Sequence, residues 1–342
     1  MNAFKTLVSS AVLGAMVATS VGSPAAAADE TYWPQPYVGA SQFFRDVIAP
    51  RPMPPVPLRP NIPADVALDL GNYGPGRFVD HVRSVPLELG IIAGAIAVTG
   101  ISSWHWGDSK FHFQKEGWFG KETHNGGMDK LGHAYSTYVI ADLLTERMQA
   151  NSDRPGGAPI TAGLIAFGLM AGVEVADGFT KKYGFSREDL IADAVGALFA
   201  VARASVPGLR DKLDFRLMGT PRSYERAGVS YNNNFIIPPY RRQRYILALK
   251  GSGFEALKST PARYLELQFG YDARGFYPEE MARGYRKERN LYAGLGLNMS
   301  ELLFADGPVP NFARYRNTEP VWALEHVFRY IQFPYTAVYT QR

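Results

Sequence analysis

From Leu89 to Gly107 the chain reads LGIIAGAIAVTGISSWHWG, nineteen residues without one Asp, Glu, Lys or Arg. Such a run must be covered by protein or by lipid, because apolar surface left in water costs about 25 cal/mol per Å². A second charge-free stretch, Pro155 to Val173, opens on the turn residues PGGAP, which leaves Ile160 to Val173 as helix. Fourteen residues suit a core helix, and nineteen are borderline for crossing a bilayer. Between the two, Leu131, Tyr135, Tyr138, Val139 and Leu143 recur at helical spacing within Gly127 to Met148. A fourth helix starts at Ser186, carries Leu190, Val195, Leu198 and Val201, and stops near Pro207. Together these predict a helical core domain over residues 85–210, built as a compact bundle against or partly in a membrane, or as a water-soluble one.

After residue 210 the hydrophobic period changes. Tyr245, Leu247 and Leu249 alternate with other residues, as do Leu265, Leu267, Phe269 and Tyr271. Leu291, Ala293, Leu295, Leu297 and Met299 repeat the pattern, and Val327, Ile331, Phe333 and Tyr335 close the chain. Period two, with turn residues between (YDARGFYPEE, FADGPVPNF), predicts an antiparallel β meander over 211–342. Its four or five strands are too few for a single-chain outer-membrane barrel, which needs at least eight. Such a sheet packs on the helices, or turns its aromatic-rich face to lipid. The fold class is therefore α+β, a bundle of about four helices followed by a meander.

The N-terminus predicts export. Lys5, the apolar stretch Leu7 to Thr19 and the A-x-A pattern within Ala25 to Ala28 read as a signal peptide over 1–28, cleaved before Asp29. The chain has no Cys, which excludes disulfides, thiolate metal sites, a Cys nucleophile and a lipid-modified N-terminal cysteine. A cysteine-free exported chain suits the periplasm. Residues 29–84 form an aromatic and proline-rich segment, with seven prolines among the fourteen residues from Pro50 to Pro63. That run is extended, as a stiff spacer or as the ligand of a proline-binding groove on an envelope partner. The net charge of +4 favours anionic lipid or polysaccharide surfaces, but it is spread along the chain and forms no nucleic-acid stripe.

The informative residues are polar ones in apolar surroundings. Four of the six histidines (His105, His112, His124, His133) fall within twenty-nine residues, beside Trp104, Trp106 and Trp118. Asp129 and His133 stand at i and i+4 on one helix face, and Glu174 and Asp177 at i and i+3. Ser186 with Asp189 fits a capping box, and Asp129 suits the dipole of a first helical turn. Glu174 and Asp193, however, lie within apolar runs, where an unpaired carboxylate costs several kcal/mol. His133, Lys130 and Arg203 are the nearest available cations, and Gly196 with Ala197 would let the helices approach closely. A network of His133 with Glu174, Asp177 and Asp193 answers that need.

The same cluster suits chemistry. A carboxylate-held histidine is a general base, and one histidine with several carboxylates from facing helices is a known way to build a metal site. The candidate catalytic residues are His133, Asp129, Glu174, Asp177 and Asp193, and the candidate substrate-binding residues are Trp104, His105, Trp106 and Lys130. The chain contains no H-E-x-x-H and no G-x-S-x-G, and no metal or cofactor is assigned.

Several motifs carry a resemblance. DKLGHAYSTY (129–138), EVADGF (174–179), KYGFSREDL (182–190) and ADAVGA (192–197) resemble the YfiM-type bacterial envelope lipoproteins, as does NLYAGLGLNMSELL (290–303). More distantly the helical pattern is similar to VanZ-like membrane proteins. The resemblance spans roughly residues 85–305 and implies the envelope and a helical core, without a reaction. The chain departs from the family in lacking the lipidated cysteine, so its own apolar surfaces must do any holding at a membrane. The expectation is an exported protein of the periplasm or a membrane surface, the outer membrane included, with envelope lipid as partner and a structural or accessory role in envelope maintenance. The alternative is an envelope hydrolase or lipid- or glycan-binding protein, with His133 as base, Glu174 and Asp193 orienting it or holding a metal, and Trp104 and Trp106 as a substrate platform.

Overall fold

Proline opens the first two helices, at positions where its missing N–H forfeits no bond. They are α1, Pro75–Ser84, and α2, Pro86–Ser102, and their axes bend by 79° across Val85. Helical structure thus begins ten residues before residue 85, and the last part of the segment 29–84 is helix instead of extended chain. The computed structural model describes residues 73–219, 240–306, 311–315 and 318–341. The export signal and the run Pro50 to Pro63 lie outside the described residues.

The bundle is built around α3, Met128–Asn151, which is buried on nearly every side and flanked by α4, Ala158–Asp177, and α5, Arg187–Ser205. Tyr138, Val139, Ile140, Leu144 and Met148 supply its share of the core. Close approach of α5 to α3 depends on Gly196, where an added Cβ would lie 2.1 Å from the Ala134 carbonyl oxygen. What α2, α4 and α5 present outward is apolar: Val98 and Ile101, Leu164 and Val175, and Ile191, Val195 and Leu198. Of the described helices, α4 is by itself long and apolar enough to cross a membrane, and half of its apolar window is buried in the protein.

The sheet has six strands: β1 (Leu213–Gly219), β2 (Gln243–Lys250), β3 (Leu265–Arg274), β4 (Glu288–Leu297), β5 (Ile331–Gln332) and β6 (Ala337–Gln341). Their order is β5-β1-β2-β3-β4-β6. The expected alternating segments around 245–249, 265–271 and 291–297 are β2, β3 and β4; β1, not foreseen, joins them in a meander that is antiparallel throughout, with β6 antiparallel on β4 and β5 parallel on β1. Two details differ from expectation. Of the expected closing strand only Ile331 is in a strand, since Val327 lies in α6, Glu319–Tyr330, and Phe333 and Tyr335 fall in the turn after β5; and Met299 begins a short helix, Met299–Phe304.

The faces of this sheet are reversed from the usual arrangement, in which the polar face meets water. One face carries Asp214, Arg216, Arg244, Glu266, Gln268 and Asp272, all buried, the first two bonded in one group with Glu266 and Gln268, and Arg244 paired with Asp272. The other face is apolar. At its β1 and β2 end Phe215 and Tyr245 pack on Tyr135 of α3. Further along, Leu267, Phe269, Leu291, Leu295 and Val338 stand at least half exposed. Leu249, Leu267, Leu295 and Val338 are successive cross-strand neighbours, so this surface runs unbroken over β2, β3, β4 and β6.

Candidate functional site

Asp129, Lys130 and His133 fall on the first two turns of α3, Glu174 and Asp177 on the last turn of α4, and Asp189 and Asp193 on the first two turns of α5. Three helix ends therefore meet at one level, and the side chains converge on a cleft of about 350 Å³ including its open mouth. Glu116, from the loop after α2, and Tyr240, just before β2, complete its walls.

His133 is the centre. Its ring is buried, and Nδ1 lies 3.2 Å from Asp193 Oδ1. Asp193 is fully buried and also accepts from the Thr137 hydroxyl at 2.8 Å, so it has the donors its charge requires. On the other side Nε2 faces Glu174 Oε1 at 3.5 Å, longer than a normal hydrogen bond. Glu174 Oε2 accepts from the Ser186 backbone N–H at 3.2 Å. Asp177 accepts from the Trp106 indole N–H at 2.6 Å. Next to this group, Lys130 Nζ pairs with Glu116, with Asp129 at 2.8 Å and with Asp189 at 2.9 Å.

Six carboxyl groups thus face one lysine and one histidine, and the charge balance shows in their protonation. Burial pushes Glu174 up to about 9 and Glu116 up to about 8, the latter helped by the neighbouring Asp189. Burial likewise raises Asp177 to about 6. For Asp189 burial is outweighed by His133 and Lys130, and it is held below the ordinary carboxyl range. Burial opposes a charge on His133, but Asp189, Asp193 and Glu174 overcome it and hold the imidazolium well above its usual value. Lys130 is raised in the same way, Asp129 contributing most against burial. Around neutral pH the cleft therefore contains a protonated histidine with Glu174 and Glu116 holding protons beside it, so His133 is an acid or a fixed charge, where the sequence suggested a carboxylate-held general base.

Other candidates fall elsewhere. Trp104 is buried in the core against Trp106, with ring centroids 5.6 Å apart, and offers no platform to a substrate. His105 is exposed in the turn after α2 and does not line the cleft. Trp106 reaches the site through Asp177 alone. Arg203 is engaged by Asp142 and Asp214 at the bundle–sheet junction. Ser186 caps α5 by accepting from the Asp189 N–H at 3.2 Å, while the Asp189 carboxylate turns to Lys130 instead of reaching back to the cap.

The comparisons with known proteins meet this geometry at one place. Residues 115–205 match the model of a family described as "predicted periplasmic lipoprotein (DUF2279)". That stretch holds the five acids that line the cleft together with Asp193, Lys130 and His133, and leaves out Tyr240 and the sheet. It supports an exported, envelope-associated protein of unknown function. No curated protein and no solved structure matches the chain.

Proposed function

We propose that the protein is an accessory factor of cell-envelope maintenance that sits against a lipid surface and exposes the His133 cleft to the periplasmic side. One observation carries this reading. The sheet keeps Asp214, Arg216, Glu266 and Asp272 inside and leaves Leu267, Phe269, Leu291, Leu295 and Val338 outside. Polar inside and apolar outside is the pattern of strands whose outer solvent is hydrocarbon. The outward residues of α2, α4 and α5 have the same character, and apolar patches of this extent mark interaction surfaces. The net charge of +4 adds attraction to anionic headgroups. The family match to residues 115–205 and the motif likeness to YfiM-type lipoproteins support the envelope role.

Flotation of the purified full chain with vesicles of phosphatidylethanolamine and phosphatidylglycerol tests the lipid contact. The wild type is expected to float with the vesicles. The double substitution Phe269→Asp, Leu295→Asp is expected to stay in the dense fraction while melting within a few degrees of wild type, because neither side chain is in the core. A wild type that never floats, or a double variant that floats equally well, would overturn the reading.

A further inference from the structure

Two groups of acids in the cleft have donor atoms close enough to hold a cation, Glu116 with Asp129 and Asp189, and His133 with Glu174 and Asp193. The first already holds one. Lys130 Nζ lies among its three carboxylates and makes an ion pair with each, so its ammonium occupies the position a metal would take. The second has no such occupant. We infer that His133 and Glu174 form a binding site for a divalent transition-metal ion of the zinc type.

The geometry supplies the argument. Metal–nitrogen and metal–oxygen bonds of about 2.0–2.1 Å at a tetrahedral angle set neighbouring ligand atoms about 3.4 Å apart. His133 Nε2 and Glu174 Oε1 stand 3.5 Å apart, too far for a good hydrogen bond and close to that ligand spacing. Asp193 acts on the far side of the ring. A carboxylate that accepts from Nδ1–H leaves Nε2 facing the cleft, and a metal ion that displaces the Nε2 proton of the imidazolium gains the arrangement in which a histidine binds metal. Thr137 and the Ser186 N–H hold Asp193 and Glu174 in place. Donors of imidazole and carboxylate type select zinc-like ions over calcium or magnesium.

A second observation points into the same space. Tyr240 is 3% exposed, lines the cleft, and its hydroxyl has no hydrogen-bond partner. It is seated against α3 at Gly132, the residue before His133, where an added Cβ would stand 2.9 Å from the hydroxyl oxygen. A buried hydroxyl without a partner costs about 1–3 kcal/mol, and a ligand held in the cleft would satisfy it. Asp177 and Asp189 on the cleft wall add negative charge, and the mouth leaves coordination positions open as a binding or reacting site requires.

The test is titration of untagged full-length protein, stripped with EDTA and dialysed, with Zn²⁺ by isothermal calorimetry. One equivalent is expected to bind and to raise the melting temperature. Glu174→Gln, which keeps the shape and the acceptor for Ser186, should weaken binding at least tenfold, and His133→Gln should do the same. Asp193→Asn, which removes only the charge behind the ring, should cost about 10–100-fold. Glu116→Gln touches the Lys130 group alone and should leave the stoichiometry unchanged. Melting of each metal-free variant identifies any that fail to fold. Wild-type protein that takes up no more Zn²⁺ than folded Glu174→Gln would overturn the site, whatever the outcome of the vesicle experiment.

Discussion

At Gly196 a single hydrogen atom decides whether the bundle closes. The Ala134 carbonyl oxygen occupies the space where a side chain would begin, and backbone cannot yield as a flexible side chain can. Gly196→Val is therefore expected to lower stability by at least about 1–3 kcal/mol, read from chemical denaturation, with the His133–Asp193 contact disturbed as well. A second residue-scale expectation follows from Glu116 and Glu174. Their folded values of about 8 and about 9 lie above the ordinary carboxyl value of about 4.3 expected when unfolded. Between those limits the folded chain binds more protons than the unfolded one, so stability falls as pH rises. His133, held well above its usual value, contributes with the same sign. In EDTA the protein should melt at a higher temperature at pH 5 than at pH 9, and Glu116→Gln should flatten that difference. A melting temperature that rises across this range would contradict the assignment of protons to the cleft.

At the scale of elements, what the sequence made legible depended on whether one solvent contrast governed each segment. The helices α2 and α4 could be read as charge-free apolar runs, α3 because its apolar residues recur near 3.6, and α5 because Ser186 and Pro207 mark its ends. β3 and β4 could be read because Leu265 to Tyr271 and Leu291 to Leu297 alternate cleanly. β1 could not, since Asp214 and Arg216 look like solvent-facing residues and are instead 1% exposed, paired to each other within the molecule. Val327 to Tyr335 mimics alternation across the junction of α6 with β5, where the period changes inside one short window. The same reasoning separates the parts of the cleft. Glu174 and Asp193 stood out as charges inside apolar runs, and His133 with Asp129 as a helical pair. Glu116 lies in a polar loop that suggests nothing. Tyr240 reaches α3 from more than a hundred positions away in the chain, with no local signal to reveal it.

For the whole molecule, the question is whether bundle and sheet are one cooperative body. The junction is ionic and buried. Arg203 of α5 donates to Asp142 of α3 at 3.1 Å, to Asp214 of β1, and to the Leu213 carbonyl oxygen at 2.7 Å. Tyr330 at the end of α6 donates to Asp142 at 2.8 Å, and Tyr135 of α3 donates to the Tyr330 carbonyl oxygen at 2.7 Å. Arg203 thus ties α3 and α5 to β1, and the Tyr330 bonds tie α3 to the α6–β5 junction, so neither part can unfold without stripping buried charges from their partners. Removing one partner of such a pair costs about 3–5 kcal/mol, mostly through the charge left behind. Arg203→Met preserves much of the side-chain volume while leaving Asp142 and Asp214 short of a cation, although Arg210 and Lys250 still reach them. The wild type should unfold in one transition, with aromatic fluorescence and far-ultraviolet dichroism changing together. Arg203→Met should lower stability by a few kcal/mol and separate the two signals, because the bundle would no longer be locked to the sheet through its central helix. Two separate transitions in the wild type would show that the junction does not couple them.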